Sequence, residues 1–177
     1  MTISLLLKVA GCGMVVAGTS GYGSWMAANY RQRLNLLLQL RQMVFLLKGQ
    51  ILYANAPLAE AFEAVGKRME GMLPEFFLQV AGRLYGQQGK TFCEIWKEEV
   101  GQIDPESVLA NTDRQSLAAL GEHLGYLDRD MQERNLLLYL EQLDLVIRGL
   151  RERQEERCRL YTSLGVMGGL FLTVLIL

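Results

Sequence analysis

The residues Leu170-Phe171-Leu172-Thr173-Val174-Leu175-Ile176-Leu177 carry one polar side chain and no charge. Hiding such a run inside a small soluble domain is difficult. With the uncharged residues before it, the apolar stretch is Leu160–Leu177. As a helix it measures about 27 Å, near the lower limit for crossing a hydrocarbon core of about 30 Å. Gly165 and Gly169 stand four apart, which puts two small residues on one helix face for close packing against another membrane helix.

A second candidate lies at the other end. Val9 to Ala28 contains no charge, although Gly11, Gly13, Gly18, Gly21 and Gly23 dilute its hydropathy. Gly13, Ala17 and Gly21 recur every four residues and form a smooth ridge of the same kind. Tyr22, Trp25 and Tyr30 fall where an interfacial aromatic belt belongs. The glycines are not a phosphate loop, since no Lys-Ser/Thr follows them. Val9-Ala10-Gly11-Cys12 looks like a lipoprotein cleavage box, but Lys8 interrupts the apolar run before it. Trp25 and Met26 spoil an ordinary cleavage site, so an uncleaved anchor is expected.

Arg31, Arg33 and Arg41 follow the first span; Arg148, Arg151, Arg153, Arg157 and Arg159 precede the second. The positive-inside rule puts the central segment in the cytoplasm. The expected organisation is an N-terminal transmembrane anchor over 1–29, a cytoplasmic helical domain over 30–159 and a C-terminal transmembrane helix over 160–177. Membrane lipid is thus one expected partner, and close packing of the membrane glycines permits an oligomer. A net charge of −1 gives no electrostatic argument for nucleic acid.

The central segment reads as an all-α bundle of about six helices. Leu36, Leu40, Met43, Leu47 and Ile51 mark one face of a helix that continues from the first span, widened by Leu37, Val44 and Leu52. Asn55-Ala56-Pro57 turns the chain into a helix faced by Leu58, Ala61, Phe62 and Val65. Pro74 is expected to open the next helix, with Phe76, Phe77, Val80, Ala81 and Leu84 as its stripe and Gly86 as its stop. Thr91-Phe92-Cys93-Glu94 fits a capping box leading to Ile95, Trp96 and Val100. Asp104-Pro105 is read as the start of a short element, and Thr112 to Gln115 as a second capping box before Leu117, Leu120 and Leu124. Gly125 is placed as a helix-terminating residue and Asp128 as the cap of the last helix. Leu136, Leu140, Leu143, Ile147 and Leu150 form that helix's seam.

No constellation for catalysis emerges. His123 is the single histidine and sits beside Glu122 on one helix, where their side chains diverge by about 100°. The three cysteines, Cys12, Cys93 and Cys158, form no metal-spaced pair. No enzyme activity, metal, cofactor or small-molecule substrate is expected. Glu122, Asp128 and Arg129, around the turn between the last two helices, either clamp that corner or belong to a partner-docking surface, and Gln132 is placed with them as a partner-binding residue.

The chain resembles the stage III sporulation protein AB family of endospore-forming bacteria over nearly its full length. Ile51-Leu52-Tyr53, Pro57-Leu58 and Glu60-Ala61 carry the resemblance first; Trp96 stands in an acidic helix as in the family. Leu120-Gly121-Glu122, Leu124-Gly125, Asp128-Arg129 and Gln132 match its signature at the corner. Tyr161, Ser163-Leu164-Gly165-Val166 and Gly169-Leu170 match its final span. The resemblance implies a non-catalytic scaffold in the secretion-like complex that joins mother cell to forespore. The implied location is the mother-cell membrane facing the forespore. Implied partners are the other proteins of the same sporulation operon, including a cytoplasmic ATPase related to secretion ATPases. The helical domain is similar to those of type II secretion and type IV pilus platform proteins, so a platform in such a system is the alternative. Those proteins usually carry two such domains, and this chain has one. A membrane-active pore former is a further reading, against which the large capped domain argues.

Overall fold

The structure is a computed structural model of the chain. It describes the backbone of residues 28–86, 89–104, 107–125 and 128–176, with side chains as far as Arg153 other than His123 and Arg129. Among the described residues there are six helices and no strand. They are α1 (28–52), α2 (Leu58–Gly66), α3 (Met72–Tyr85), α4 (Phe92–Gln102), α5 (Asn111–Leu124) and α6 (Arg129–Ile176). The chain divides into two compact units, Leu34–Arg151 and a second made of Met1–Arg33 with Glu152–Leu177. The expected packing residues Gly13, Ala17, Gly21, Gly165 and Gly169 lie outside the described side chains, as do almost all of 1–29 and the whole of 160–177. Among the described residues no helix is long and apolar enough to cross a membrane.

Within Leu34–Arg151 the sequence periodicity becomes one core. α1 buries Leu37, Leu40, Met43, Val44, Leu47 and Ile51, residues that three- and four-residue steps keep on one face. α6 answers with Leu136, Tyr139, Leu140, Leu143, Ile147 and Leu150. Arg41 of α1 holds Asp144 of α6 through paired contacts of 2.5 and 3.1 Å. At the other end of α1, Asn55 turns the chain with φ 56°, a left-handed conformation that asparagine tolerates. Pro57 then stands at the N-cap of α2, ahead of its first turn.

α2 and α3 are joined tightly. Gly71, the N-cap of α3, has φ 124°, where a side chain would be strained. Gln39 of α1 donates to the carbonyl of Glu70 beside it, at 3.0 Å. α3 begins at Met72, so Pro74 lies within the first turn instead of opening it. Proline is tolerated there because the first N–H groups of a helix have no helical partner.

The short element expected from Asp104-Pro105 falls partly outside the described residues, and residues 107–109 form bends. One expectation about the later helices needs correction. α5 starts at Asn111 with Ala110 as N-cap, so Thr112 does not cap it. The chain before it is extended, and the Asp113 carboxylate reaches back to accept the Ala110 N–H at 3.1 Å. The box over Thr91 and Glu94 forms as expected. Thr91 Oγ1 accepts the Glu94 N–H at 3.4 Å, and Glu94 accepts the Thr91 N–H at 2.7 Å.

Candidate docking corner

The junction of α4 with α5 is built around one indole. Trp96 is fully buried, and its Nε1 donates to the Leu117 carbonyl at 2.8 Å. Gly121 lies four residues further along α5, on the same helix face. A Cβ at Gly121 would fall 1.9 Å from Trp96 Cδ1, so only glycine admits the ring against the helix. The other side of the indole meets Phe76, Phe62 and Phe92 at centroid distances of 5.0, 5.4 and 5.7 Å. The buried rings of Phe62 and Phe76 each contribute about 1.5–3 kcal/mol, and half-buried Phe92 less.

The surface pair follows from this contact. Lys97 comes after Trp96, and Glu122 comes after Gly121. With the inner residues locked, the next ones project outward together, and Lys97 Nζ meets Glu122 Oε1 at 2.6 Å. Both remain about half exposed, at 52% and 48%. The Glu122 carboxylate raises the Lys97 pKa, mainly by hydrogen bonding and secondarily by charge.

Beside this pair lies a charge network that sequence reading did not find. Arg83 of α3 reaches exposed Glu98 and, at 2.7 Å, buried Glu99. Lys90 holds Glu98 at 2.6 and 2.9 Å. Hydrogen bonds from Lys90 and then Arg83 lower the Glu98 pKa. Burying Glu99 is tolerated because its charge is paired. Only the acidic run Glu98-Glu99 hinted at the network in the sequence; its partners come from 8 to 16 residues away.

At the turn itself the four residues proposed from sequence separate. Asp128 is exposed, and its Oδ1 accepts the Asp130 N–H at 3.2 Å, as an N-cap does. Glu122 is exposed. Gln132 does not face outward: it is buried, and its Nε2 donates to the Leu124 carbonyl at 2.9 Å. It thereby satisfies one of the carbonyls left open at the end of α5. The side chains of Arg129 and His123 lie outside the described residues. Gly125 is the C-cap with φ −74°, a right-handed conformation, so the backbone there does not demand glycine. Among the described residues, no three His, Cys, Asp or Glu side chains converge as metal ligands would.

Residues 8–177 match the sequence model described as stage III sporulation protein AB. The chain belongs to the stage III sporulation protein AB family. Stage III sporulation protein AB of Bacillus subtilis (strain 168) is 25% identical over 173 residues, covering 97% of this chain and 100% of that relative. A solved structure of stage III sporulation protein AB is similar in fold with a TM-score of 0.65 at 22% identity, covering 71% of this chain and 98% of its own. The helical arrangement is thus that of the family, and Trp96, Gly121 and Gln132 are the residues through which this member builds its corner.

Proposed function

We propose that this protein is a non-catalytic membrane scaffold of the secretion-like complex that serves endospore development. In this reading 1–29 and 160–177 anchor it in the mother-cell membrane that faces the forespore. The helical domain stands in the cytoplasm and receives the complex's ATPase. The match to the family over residues 8–177 carries this reading, because it includes both apolar ends as well as the domain between them. The uncharged stretches and the arginines flanking them support the orientation. The other proteins of the same operon are the proposed partners.

The proposed docking surface includes the Lys97–Glu122 pair and Asp128, all three of them exposed. A charged patch held by a buried tryptophan is pre-organised, which lowers the cost of binding. The Lys97–Glu122 pair allows a test that separates docking from folding. Exchanging the charges, as Lys97→Glu with Glu122→Lys, rebuilds the ion pair with reversed polarity. Pull-down of the operon ATPase by the full-length protein is expected to fall at least tenfold, while the thermal melt stays unchanged. Full binding by the exchanged variant would mean that the pair only clamps the corner.

A further inference from the structure

The Arg41–Asp144 pair stands within an uneven group of charges. Along α6, Arg148 and Arg151 follow Asp144 by four and seven residues, so the three side chains share one face of the helix. Arg41 and Asp144 keep 44% and 38% of their side-chain surface exposed, and Arg148 and Arg151 are exposed as well. All four residues belong to the compact unit Leu34–Arg151. The hydrogen bond from Arg41 holds the Asp144 carboxylate below its ordinary pKa, and the charges of Arg41, Arg148 and Arg151 add to the effect. Three guanidinium groups thus stand near one carboxylate.

That carboxylate is already occupied. Arg41 meets both of its oxygens, at 2.5 and 3.1 Å, in the paired geometry that satisfies a planar acceptor. Among the described residues Arg148 and Arg151 form no ion pair, and the neighbouring carboxylates Glu141 and Glu152 are not joined to them. Residues three apart on a helix stand about 5–6 Å apart at Cβ, so two guanidinium forks can close on one acceptor from two sides. A free carboxylate would be filled by one fork, as Asp144 is by Arg41. An acceptor that serves both forks needs oxygens in more than one plane, and a phosphate group has them.

We infer that Arg148 and Arg151, with Arg41 beside them, form a binding site for a phosphate group, carried by a lipid headgroup or by a soluble phosphate compound. Asp144 holds Arg41 in place, so its charge contributes to the field at the site without further ordering on binding. The site goes beyond the proposed scaffold role. It does not depend on where the ends of the chain lie, because its residues belong to one unit.

The test is calorimetric titration of the full-length protein in nonionic detergent micelles, at low salt where charge is least screened. The probes are inorganic phosphate, micelles doped with phosphatidylglycerol, and micelles doped equally with cholesteryl hemisuccinate, whose headgroup is a carboxylate. At least one phosphate probe should bind, about fivefold or more tighter than the hemisuccinate micelles. Arg148→Gln with Arg151→Gln should weaken that binding about tenfold or more. Arg134→Gln, which removes an exposed arginine elsewhere on α6, should leave it unchanged. Binding of inorganic phosphate assigns the site to soluble phosphate compounds, and binding of phosphatidylglycerol alone assigns it to a lipid headgroup; either supports the inference. No binding of either phosphate probe, equal binding of the carboxylate micelles, full binding by the double variant, or an equal loss in Arg134→Gln would each overturn it. A glutamate-rich peptide that binds as tightly as phosphate would also overturn it, by assigning the arginines to an acidic protein segment. The substituted side chains are exposed, and an unchanged melt without ligand shows that each variant is folded.

Discussion

Replacing Gly121 by alanine would put a methyl group 1.9 Å from Trp96 Cδ1. The indole is fully buried among phenylalanines and cannot swing aside without disturbing them. Relief would also stretch the 2.8 Å bond to the Leu117 carbonyl. Overpacking plus a weakened buried hydrogen bond is expected to cost about 2–4 kcal/mol, read as a lower midpoint in thermal or urea unfolding. Because the clash is with this ring, Gly121→Ala should cost much less in a Trp96→Leu background. Additive losses in that double-mutant cycle would refute the pairing. A glycine inside a helix costs about 1 kcal/mol, so its place within 111–124 already signalled that something approaches closely there. The sequence could not name that something, because Trp96 lies 25 positions away on another helix.

Thr91 and Glu94 show what local chemistry can specify. Both hydrogen bonds of the capping box lie within four residues, and the pattern alone identified them. Thr91→Ala should lower stability by about 1 kcal/mol, measured as a change in midpoint with an unchanged m-value. The start of α5 was harder to place. Ala110 has no side chain able to cap, yet Asp113 completes half of the arrangement from within the helix. Gln132 was misjudged for a similar reason: a polar residue beside a turn reads as surface unless the open carbonyl it satisfies is known. The ion pairs joining elements were not legible, since Arg41 and Asp144 are separated by 103 positions. They predict an acid sensitivity. Hydrogen bonds to Arg41 and to Lys90 hold Asp144 and Glu98 below their ordinary values of 3.8 and 4.5. A lowered folded-state pKa gives stability that is present above the ordinary value and is lost as pH falls through the folded one. The melting temperature should therefore be flat from neutrality to about pH 5 and decline below about 4.5. The double variant Asp144→Asn with Glu98→Gln should make that decline shallower. Lys97 acts in the opposite direction, its raised pKa contributing stability below the ordinary 10.5 that disappears only at higher pH.

The arginines tie the domain to the proposed membrane setting, because α1 and α6 both carry them toward the apolar ends. Arg31 and Arg33 lie at the start of α1; Arg148, Arg151 and Arg153 lie on α6 before the final apolar stretch. Translocating both groups across a membrane would oppose the positive-inside bias twice, whereas a cytoplasmic domain satisfies it twice. In the proposed orientation the Lys97–Glu122 pair would lie on the same side of the membrane as the proposed ATPase partner. Gln102, exposed at the end of α4, reports on this orientation without disturbing the core. In a chain whose three native cysteines are replaced by alanine, Gln102→Cys should react with a membrane-permeant maleimide in intact cells. A charged maleimide should leave it unlabelled until the cells are opened. Labelling by the charged reagent in intact cells would reverse the topology. Extraction separates a further case. A chain held only by surface contacts would leave the membrane in alkaline carbonate, whereas one crossing it through 160–177 should stay in the pellet. Release of the full-length protein would remove the anchor on which the proposed membrane setting depends.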